Sequence, residues 1–467
     1  MILDSVIQLG EGELTERQWR KLLNALSFQT KDGEEWNAYT HEEGEGIVKI
    51  SRGALNLIPK GVEIEDFRSR PKMPKLEFVR ELGAEGYEGQ VEAVAAMFKH
   101  CQGRVIAPPG KGKTEMGLAF MAAACTRSLV IVHSTALLSQ WIERAKASIP
   151  GVDIGKIQGK TCTLGHITIA MAQTIRKSYL GAGGKFWRQF GAVIVDEAHH
   201  AAADTWEWLL NVCPAFYRIG LTASELRTDG LHPLVGFNIG PVIFRFKFQS
   251  QVPMTVQPIF TNFHSRYGAN MMTKLWKEVR EDKPRNEMIA AALTTEIMAG
   301  NTVLALSRYI EHLEKICDLL PFEARAHTEI VTGKMKRKDQ DAMIQRMRDG
   351  DLRCILGTQL FEEGVDIARI NRVALMFPGT WITALQKVGR GARIFEGKDD
   401  ALVLDFVDDN VPVLARQYLG RYAWYKSVGI TVAKAIKEGR DDATKESVIR
   451  RLTGKLGQLR PATPKRT

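Results

Sequence analysis

The sequence has few cysteines and no long apolar run. Its 467 residues include six cysteines, which are widely scattered and form no CxxC pair. This pattern argues against a disulfide framework and against a zinc site. No apolar stretch approaches the ~20 residues of a membrane helix, and the first residues lack the basic and apolar segments of a secretory signal. These absences predict a cytoplasmic protein.

Length and charge narrow the class further. A chain of 467 residues is too long for one hydrophobic core, so two or three domains are expected. The formal net charge is +10, and the segment after Val448 carries six basic side chains and no acidic one. This distribution suits a polyanionic partner such as nucleic acid, although a basic, solvated tail is an equal alternative.

Short apolar runs alternate with helical patterns from about residue 88. Runs rich in β-branched residues, separated by helical segments, indicate parallel strands buried on both faces. The first series comprises residues 104–107, 128–133, 167–171, 192–197 and 218–223. The second series comprises residues 302–307, 329–333, 353–358, 372–377 and 401–407. The predicted fold class is therefore α/β, with two tandem parallel-sheet domains.

Composition suggests boundaries for these domains. Residues 1–80 are predicted to form a small α+β accessory domain, a candidate for DNA recognition. It is expected to contain a helix from Thr15 to Leu26, a polar loop over residues 32–45 and strands over residues 46–51 and 54–59. The remaining predicted parts are domain one (81–245), a connector (246–286), domain two (287–425) and a basic extension (426–467).

The segment from Ala107 to Thr114 (APPGKGKT) follows the first apolar run and opens a helical pattern. A glycine-rich loop between a strand and a helix cradles phosphates, because its backbone N–H groups point at the anion. Lys113 is predicted to reach the outer phosphates of a nucleotide and Thr114 to bind its magnesium. The backbone of the loop itself would be formed by Pro109, Gly110, Lys111 and Gly112. The alternative is a glycine-rich turn without a ligand.

Asp196 and Glu197 end the run AVIV, at the sheet edge where parallel strands bind ligands. Asp196 is predicted to hold the magnesium, and Glu197 to orient and deprotonate the attacking water. A buried carboxylate pair is costly unless a cation offsets it. The alternative is an acidic pair that caps the next helix.

Two arginines in the second domain, Arg390 and Arg393, lie three residues apart in QKVGRGAR. On a helix both guanidinium groups would project from one face. A planar bidentate cation stabilises the charge of a transferring phosphoryl group, so these residues are candidate catalytic groups from the second domain. A solvent-facing pair of arginines is the alternative.

The order of these motifs resembles that of superfamily 2 helicases and translocases, over about residues 86–410. The resemblance implies two RecA-like domains, ATP and Mg²⁺ as ligands, and Arg390 and Arg393 as arginine fingers. It also implies further roles. Gln90 would read the adenine, and Gly364 and Asp366 would face the nucleotide. Thr222, Ser224 and Gln386 would couple hydrolysis to movement. Nucleic-acid contacts are implied for Ser134, Gln140, Gln173, Thr358 and Gln359.

A finer resemblance is to the DNA-directed branch that includes the XPB, RadD and phage UvsW-type helicases. It is carried by residues 193–206, 218–244 and 403–409. This branch implies an ATP-dependent helicase or translocase, in a bacterial or phage-infected cell, that unwinds or remodels forks, D-loops and junctions. Alternatives are an RNA helicase or RNP-remodelling ATPase, a motor subunit of a restriction or defence complex, and a DNA-binding scaffold with an inactive nucleotide site.

Overall fold

A computed structural model describes residues 1–437, apart from residues 31–34, 43, 86, 109, 180–183, 203, 225–230, 248–251, 359–366, 381–394, 396 and 435. The chain divides into two compact units, which we call the first unit (Met1–Lys247) and the second unit (Phe248–Thr467). Within the described ranges, no helix has both the length and the apolar character needed to cross a bilayer.

The first unit begins with a small α+β region. Its elements are β1 (Ile2–Leu3), β2 (Val6–Gly10), α1 (Glu16–Leu26), β3 (Ser27–Gln29), β4 (Glu35–Asn37), β5 (Tyr39–Glu42), β6 (Ile47–Ser51) and β7 (Glu65–Asp66). Five of the strands form a sheet in the order β5-β6-β2-β1-β7, which is antiparallel except for β1 and β7. The predicted helix is confirmed, and it starts where Thr15 forms a capping box with Gln18.

A larger parallel sheet forms the rest of the first unit. Its elements are α2 (Gln90–His100), β8 (Gln102–Ile106), α3 (Lys113–Ala123), β9 (Ser128–Val132), α4 (Thr135–Ser148), β10 (Ile154–Gln158), β11 (Thr161–Thr163), β12 (Ile167–Met171), α5 (Ala172–Tyr179), α6 (Gly184–Trp187), β13 (Ala192–Asp196), α7 (Asp204–Val212), β14 (Tyr217–Thr222), α8 (His232–Ile239) and β15 (Val242–Arg245). The strand order is β11-β10-β12-β9-β13-β14-β8-β15, parallel except between β10 and β11. Separate apolar clusters lie on the two faces, as a sheet covered by helices requires.

The second unit contains another parallel sheet. Its elements are β16 (Met254–Phe260), α9 (Met272–Glu281), α10 (Lys283–Met298), β17 (Val303–Ser307), α11 (Ile310–Leu319), α12 (Phe322–Arg325), β18 (Thr328–Val331), α13 (Arg337–Asp349), β19 (Cys354–Thr358), β20 (Arg372–Leu375), β21 (Ala401–Val407), α14 (Pro412–Ser427), β22 (Thr431–Val432) and β23 (Ile436–Lys437). The strand order is β18-β19-β17-β20-β21-β16-β22, and β23 also pairs with β16. The predicted α/β class with two parallel sheets is therefore confirmed.

Two local predictions were wrong. Residues 52–57 form a 3-10 helix, so the strand predicted over 54–59 does not form. The predicted loop over 32–45 contains β4 and β5. The predicted connector contains β16, which pairs with β21 along its whole length, from Met254 opposite Ala401 to Phe260 opposite Val407. That pairing joins segments far apart in the chain, so no local pattern indicates it.

Buried arginines fix the N-terminal region to the large sheet of the first unit. Arg218, on β14, is fully buried and donates to the backbone carbonyl of Ser5, near the chain start. Arg52 is also fully buried and donates to the carbonyl of Ala215. Because these charges bond to carbonyls on both parts, the N-terminal region is anchored by polar contacts as well as by apolar packing.

Candidate nucleotide site of the first unit

The predicted phosphate loop connects β8 to α3, at the carboxyl edge of the parallel sheet. Gly112 lies immediately before α3 with φ +72°, a left-handed conformation that favours glycine. A Cβ added there would lie 2.3 Å from Nε2 of Gln90, so the loop also needs glycine for space. Gln90 is buried and donates to the carbonyl of Lys111 at 3.0 Å. Gln90 therefore holds the backbone of the loop in place at Lys111 and Gly112.

Gln90 was expected to read an adenine. In this structure its side chain supports the phosphate loop, since its Oε1 also accepts from the backbone N–H of Gly83 at 3.1 Å. The adenine contact stays a prediction. Tyr87 lies beside the same loop and is 36% exposed, with Cδ1 3.7 Å from the position of a Cβ on Gly112. Lys111 is nearly buried, and its Nζ lies 3.9 Å from a carboxylate oxygen of Glu88.

The lysine of the loop contacts the carboxylate pair directly. Nζ of Lys113 lies 3.1 Å from Oε1 of Glu197, and both side chains are largely buried. Thr114 follows in the first turn of α3 and is also buried. Glu197 has φ +47°, an uncommon conformation for a residue with a Cβ, directly after β13. The fold therefore unites loop and carboxylates, which lie more than 80 positions apart in the sequence.

The two carboxylates have opposite pKa shifts. Burial and the charge of Glu197 raise the pKa of Asp196, although Lys113 and the Trp141 hydrogen bond oppose this. Burial also raises the pKa of Glu197, but Lys113 and His199 outweigh it, so that its pKa lies below its usual value. Glu197 is therefore ionised at neutral pH, as a general base must be.

Thr114 and Asp196 offer a hydroxyl and a carboxylate, the hard oxygen donors that Mg²⁺ prefers. Across the described part of the chain, no group of three or more His, Cys, Asp or Glu side chains could hold a metal ion. This donor set fits Mg²⁺ in nucleotide sites, where one or two protein oxygens combine with phosphates and water.

His199 connects the carboxylates to the predicted coupling residues. Its Nδ1 lies 3.4 Å from Oε2 of Glu197 and 3.2 Å from Oγ1 of Thr222. The Thr222 hydroxyl donates to the carbonyl of Ser224 at 3.0 Å. Both residues are buried at the end of β14. Thr222 and Ser224 are therefore positioned to sense a change at Glu197, and their role in coupling stays a prediction.

Trp141 is a site residue that sequence analysis missed. Its indole N–H donates to Oδ2 of Asp196 at 2.7 Å, and both side chains are buried. Sequence analysis assigned nucleic-acid contacts to its neighbours Ser134 and Gln140 and no partner to Trp141, because that partner lies 55 residues away in the sequence. A buried tryptophan needs an acceptor for its N–H, which was the available signal.

The residues of the first unit that are predicted to contact nucleic acid follow neighbouring strands of the sheet, at its carboxyl edge. Ser134 caps α4 by accepting from the N–H of Leu137, Gln140 lies on α4, and Gln173 is exposed in the first turn of α5. The turn after β10 joins the two segments, since Gln158 donates to Thr135 Oγ1 at 3.0 Å and the N–H of Gly159 to Thr174 Oγ1 at 3.4 Å.

In the second unit, Thr358 ends β19 and is buried. Its hydroxyl has no hydrogen-bond partner among the residues that the structure describes. Several predicted site residues lie outside the described residues: Pro109, Gln359, Gly364, Asp366, Gln386, Arg390 and Arg393.

Comparison with known proteins identifies the family. Residues 84–225 match the model of the res subunit of type III restriction enzymes, and residues 285–395 match the helicase conserved C-terminal domain. These matches, of 142 and 111 residues, cover more than half of the chain. The chain is a superfamily 2 helicase of the branch that includes XPB. As such, it is an ATP-hydrolysing enzyme.

Individual relatives are distant but cover much of the helicase. The DNA 3′-5′ translocase XPB2 of Sulfurisphaera tokodaii is 27% identical over 359 residues, which are 68% of this chain and 80% of the relative. A putative ATP-dependent RNA helicase, L396 of Acanthamoeba polyphaga mimivirus, is 25% identical over 70% of this chain and 64% of its own. The solved structure of the DUF1998 helicase MrfA bound to DNA has a TM-score of 0.56 at 15% identity, over 80% of this chain and 53% of that one. It supports the fold alone.

Proposed function

We propose that this helicase uses ATP hydrolysis to move along DNA and to remodel branched DNA such as forks, D-loops and four-way junctions. The observation that carries the motor part is the contact between Lys113 and Glu197, a phosphate-loop lysine against an ionised carboxylate. The choice of DNA is supported by the name of the archaeal relative, a DNA translocase, and by the net charge of +10.

Hydrolysis would use the residues at the carboxyl edge of the first sheet. Glu197 accepts the proton of a water whose oxygen bonds to the γ-phosphorus, while the bond from that phosphorus to the ADP oxygen breaks. Lys113 exchanges its contact with Glu197 for the phosphate oxygens and stabilises their charge. Thr114 and Asp196 would hold Mg²⁺, which neutralises phosphate charge when it is bound. The products are ADP and inorganic phosphate.

Contacts with the DNA strand would lie at the same carboxyl edge of the first unit's parallel sheet. Ser134, Gln140 and Gln173 follow β9 and β12, which are adjacent in the sheet. Polar groups and helix starts at this edge suit phosphate oxygens more than base edges. Binding should therefore depend little on base sequence and weaken steeply with salt. His199 and Thr222 would link such contacts to Glu197.

A substrate panel tests the proposal. ATP hydrolysis is measured with single-stranded DNA, forks, D-loops, four-way junctions, plain duplex and RNA, and branched products are followed on gels. We expect DNA to stimulate hydrolysis and branched DNA to be converted in an ATP-dependent manner. Stimulation by RNA alone would contradict the DNA assignment and favour the RNA-helicase alternative.

The chemical role of Glu197 is tested by Glu197→Gln in the full chain. Because a positioned general base contributes about 10²–10⁴-fold, hydrolysis should fall at least 100-fold while nucleotide binding persists. Glu77→Gln, at an exposed glutamate outside the sheet edge, serves as the matched control and should retain wild-type rates. Hydrolysis at the wild-type rate by the Glu197 variant would refute the mechanism.

The description of the matched restriction-enzyme family supports a second candidate, the motor subunit of a restriction complex. The two candidates differ in what the purified chain does alone. Conversion of forks or junctions without added protein supports the first. A DNA-stimulated ATPase that leaves every branched substrate unchanged supports the second.

A further inference from the structure

Helix α4 joins a proposed DNA contact to a residue that directly contacts Asp196, the carboxylate proposed to hold Mg²⁺. Ser134 caps the helix, and Trp141 lies seven residues further on, fully buried beneath the sheet edge. The Trp141 indole N–H donates to Oδ2 of Asp196 at 2.7 Å. One helix therefore connects the proposed DNA contact at Ser134 to the hydrogen bond that Trp141 makes with Asp196.

We propose that Trp141 is a positioning residue for Asp196, and that α4 thereby transmits DNA binding to the metal site. This inference rests on the proposed function, in which Ser134 contacts DNA and Asp196 holds Mg²⁺. It adds a specific bond through which the two sites communicate.

The hydrogen bonds of Asp196 explain why this bond matters. Its Oδ1 accepts from the backbone N–H of Glu197 at 2.9 Å, and its Oδ2 accepts from Trp141. With one donor on each oxygen, the plane of the carboxylate is fixed. Mg²⁺ requires near-ideal octahedral geometry, and donors behind a ligand set its orientation. Without the indole N–H, one oxygen of a buried carboxylate would lose its partner.

The bond is also sensitive to movement of α4. A shift of the helix by about 1 Å along the bond would stretch it beyond hydrogen-bonding distance. The start of α4 has a second link to the same site. His133, immediately before Ser134, packs its ring against His200 with centroids 4.3 Å apart, and His200 packs against His199 at 4.4 Å. His199 in turn contacts Glu197.

Local packing holds the indole in place. Gly117, on α3, faces the ring, and a Cβ added there would lie 2.7 Å from Cη2 of Trp141 and 3.3 Å from Cδ1 of Leu221. Gly117→Ala would therefore displace the indole without removing it. This provides a second way to disturb the bond, through a residue outside the nucleotide contacts.

The first test replaces Trp141 by phenylalanine, which keeps an aromatic ring and removes the N–H. Trp187→Phe is the matched control, because Trp187 is equally buried but packs in the other apolar cluster of the first unit. Binding of a fluorescent ADP analogue is measured with Mg²⁺ and with EDTA, and the Mg²⁺ midpoint of ATP hydrolysis is measured in the full chain.

Loss of a hydrogen bond to a charged group should raise the Mg²⁺ midpoint of Trp141→Phe about 10-fold. Nucleotide affinity in EDTA should stay within about twofold of wild type, since the bond acts through the metal ligand. Single-stranded DNA should lower the midpoint of the wild type and not that of the variant. Gly117→Ala should shift the midpoint in the same direction, and it replaces the phenylalanine variant if that protein unfolds.

The outcomes separate this inference from the proposed function. A wild-type chain that neither binds nor hydrolyses ATP contradicts the proposed function. An active wild type whose Trp141→Phe and Gly117→Ala forms keep the midpoint of Trp187→Phe overturns the role of Trp141. A shifted midpoint that responds to DNA as in wild type overturns the transmission through α4.

Discussion

Replacing Arg218 by methionine should loosen the N-terminal region from the parallel sheet of the first unit. The buried guanidinium donates to four backbone carbonyls, at distances of 2.7–3.1 Å. They belong to Ser5, Leu210, Cys213 and Asn238. The arginine therefore joins the N-terminal region to two segments around β14, and methionine keeps much of its volume while removing every donor.

The expected magnitude follows from two opposing effects. Burial lowers the pKa of Arg218 to about 10. A shift of that size means that the charged form costs about 3 kcal/mol in the fold, which methionine would recover. Four buried carbonyls without donors cost about 1–3 kcal/mol each. At about 2 kcal/mol for each carbonyl, we therefore expect a net loss of about 5 kcal/mol in the free energy of unfolding of the first unit.

The pH dependence has a definite sign. Because the folded-state pKa of Arg218 lies below its unfolded value, the cost of its charge is fully present below pH 10 and is relieved only as pH rises above it. The difference between wild type and Arg218→Met should therefore stay constant from pH 6 to pH 9.

Hydrogen exchange of the full chain, followed by mass spectrometry, measures the effect separately in each unit. Arg188→Met is the matched control, since Arg188 also bonds the N-terminal region, through Asp4 at 2.6 Å, but is 46% exposed. An exposed pair contributes at most about 1 kcal/mol. An Arg218 variant that is no less protected than the Arg188 variant would refute the reasoning.

Two further predictions concern other residues. His312 is fully buried in the second unit, and burial, with the charge of Arg285, lowers its pKa to about 3. The unfolded chain therefore binds a proton that the folded unit excludes. The free energy of unfolding of this unit should fall by about 2 kcal/mol from pH 6.5 to pH 5. His312→Gln should remove that part of the acid sensitivity in urea unfolding, and an unchanged pH slope would contradict it. Gly112→Ala should lower ATP-analogue affinity at least 10-fold, because it adds a Cβ 2.3 Å from Gln90 to a left-handed residue. Gly151→Ala, with φ +70° and open space around it, controls for backbone strain alone and should bind normally.

Much of the fold could be predicted because its signals are local. Each of the ten predicted apolar runs contains or overlaps a strand, since β-branched runs between turn residues suit buried parallel strands. Pairing between distant segments was not predicted. One example is β16, which lies between β21 and β22 in the second sheet. Residues 52–57, apolar enough for a strand, wind into a 3-10 helix whose first residue, Arg52, bonds to Ala215.

For the site, the sequence alone predicted which residues would carry the chemistry. The phosphate loop and the pair Asp196–Glu197 are contiguous motifs, and the edge to which parallel strands deliver them follows from the fold class. Only the tertiary structure decided what holds them. Trp141 reaches Asp196 across 55 residues and Arg218 reaches Ser5 across 213, and such pairs form because a buried donor or acceptor must find a partner wherever packing brings one. Sequence spacing carries no record of that choice.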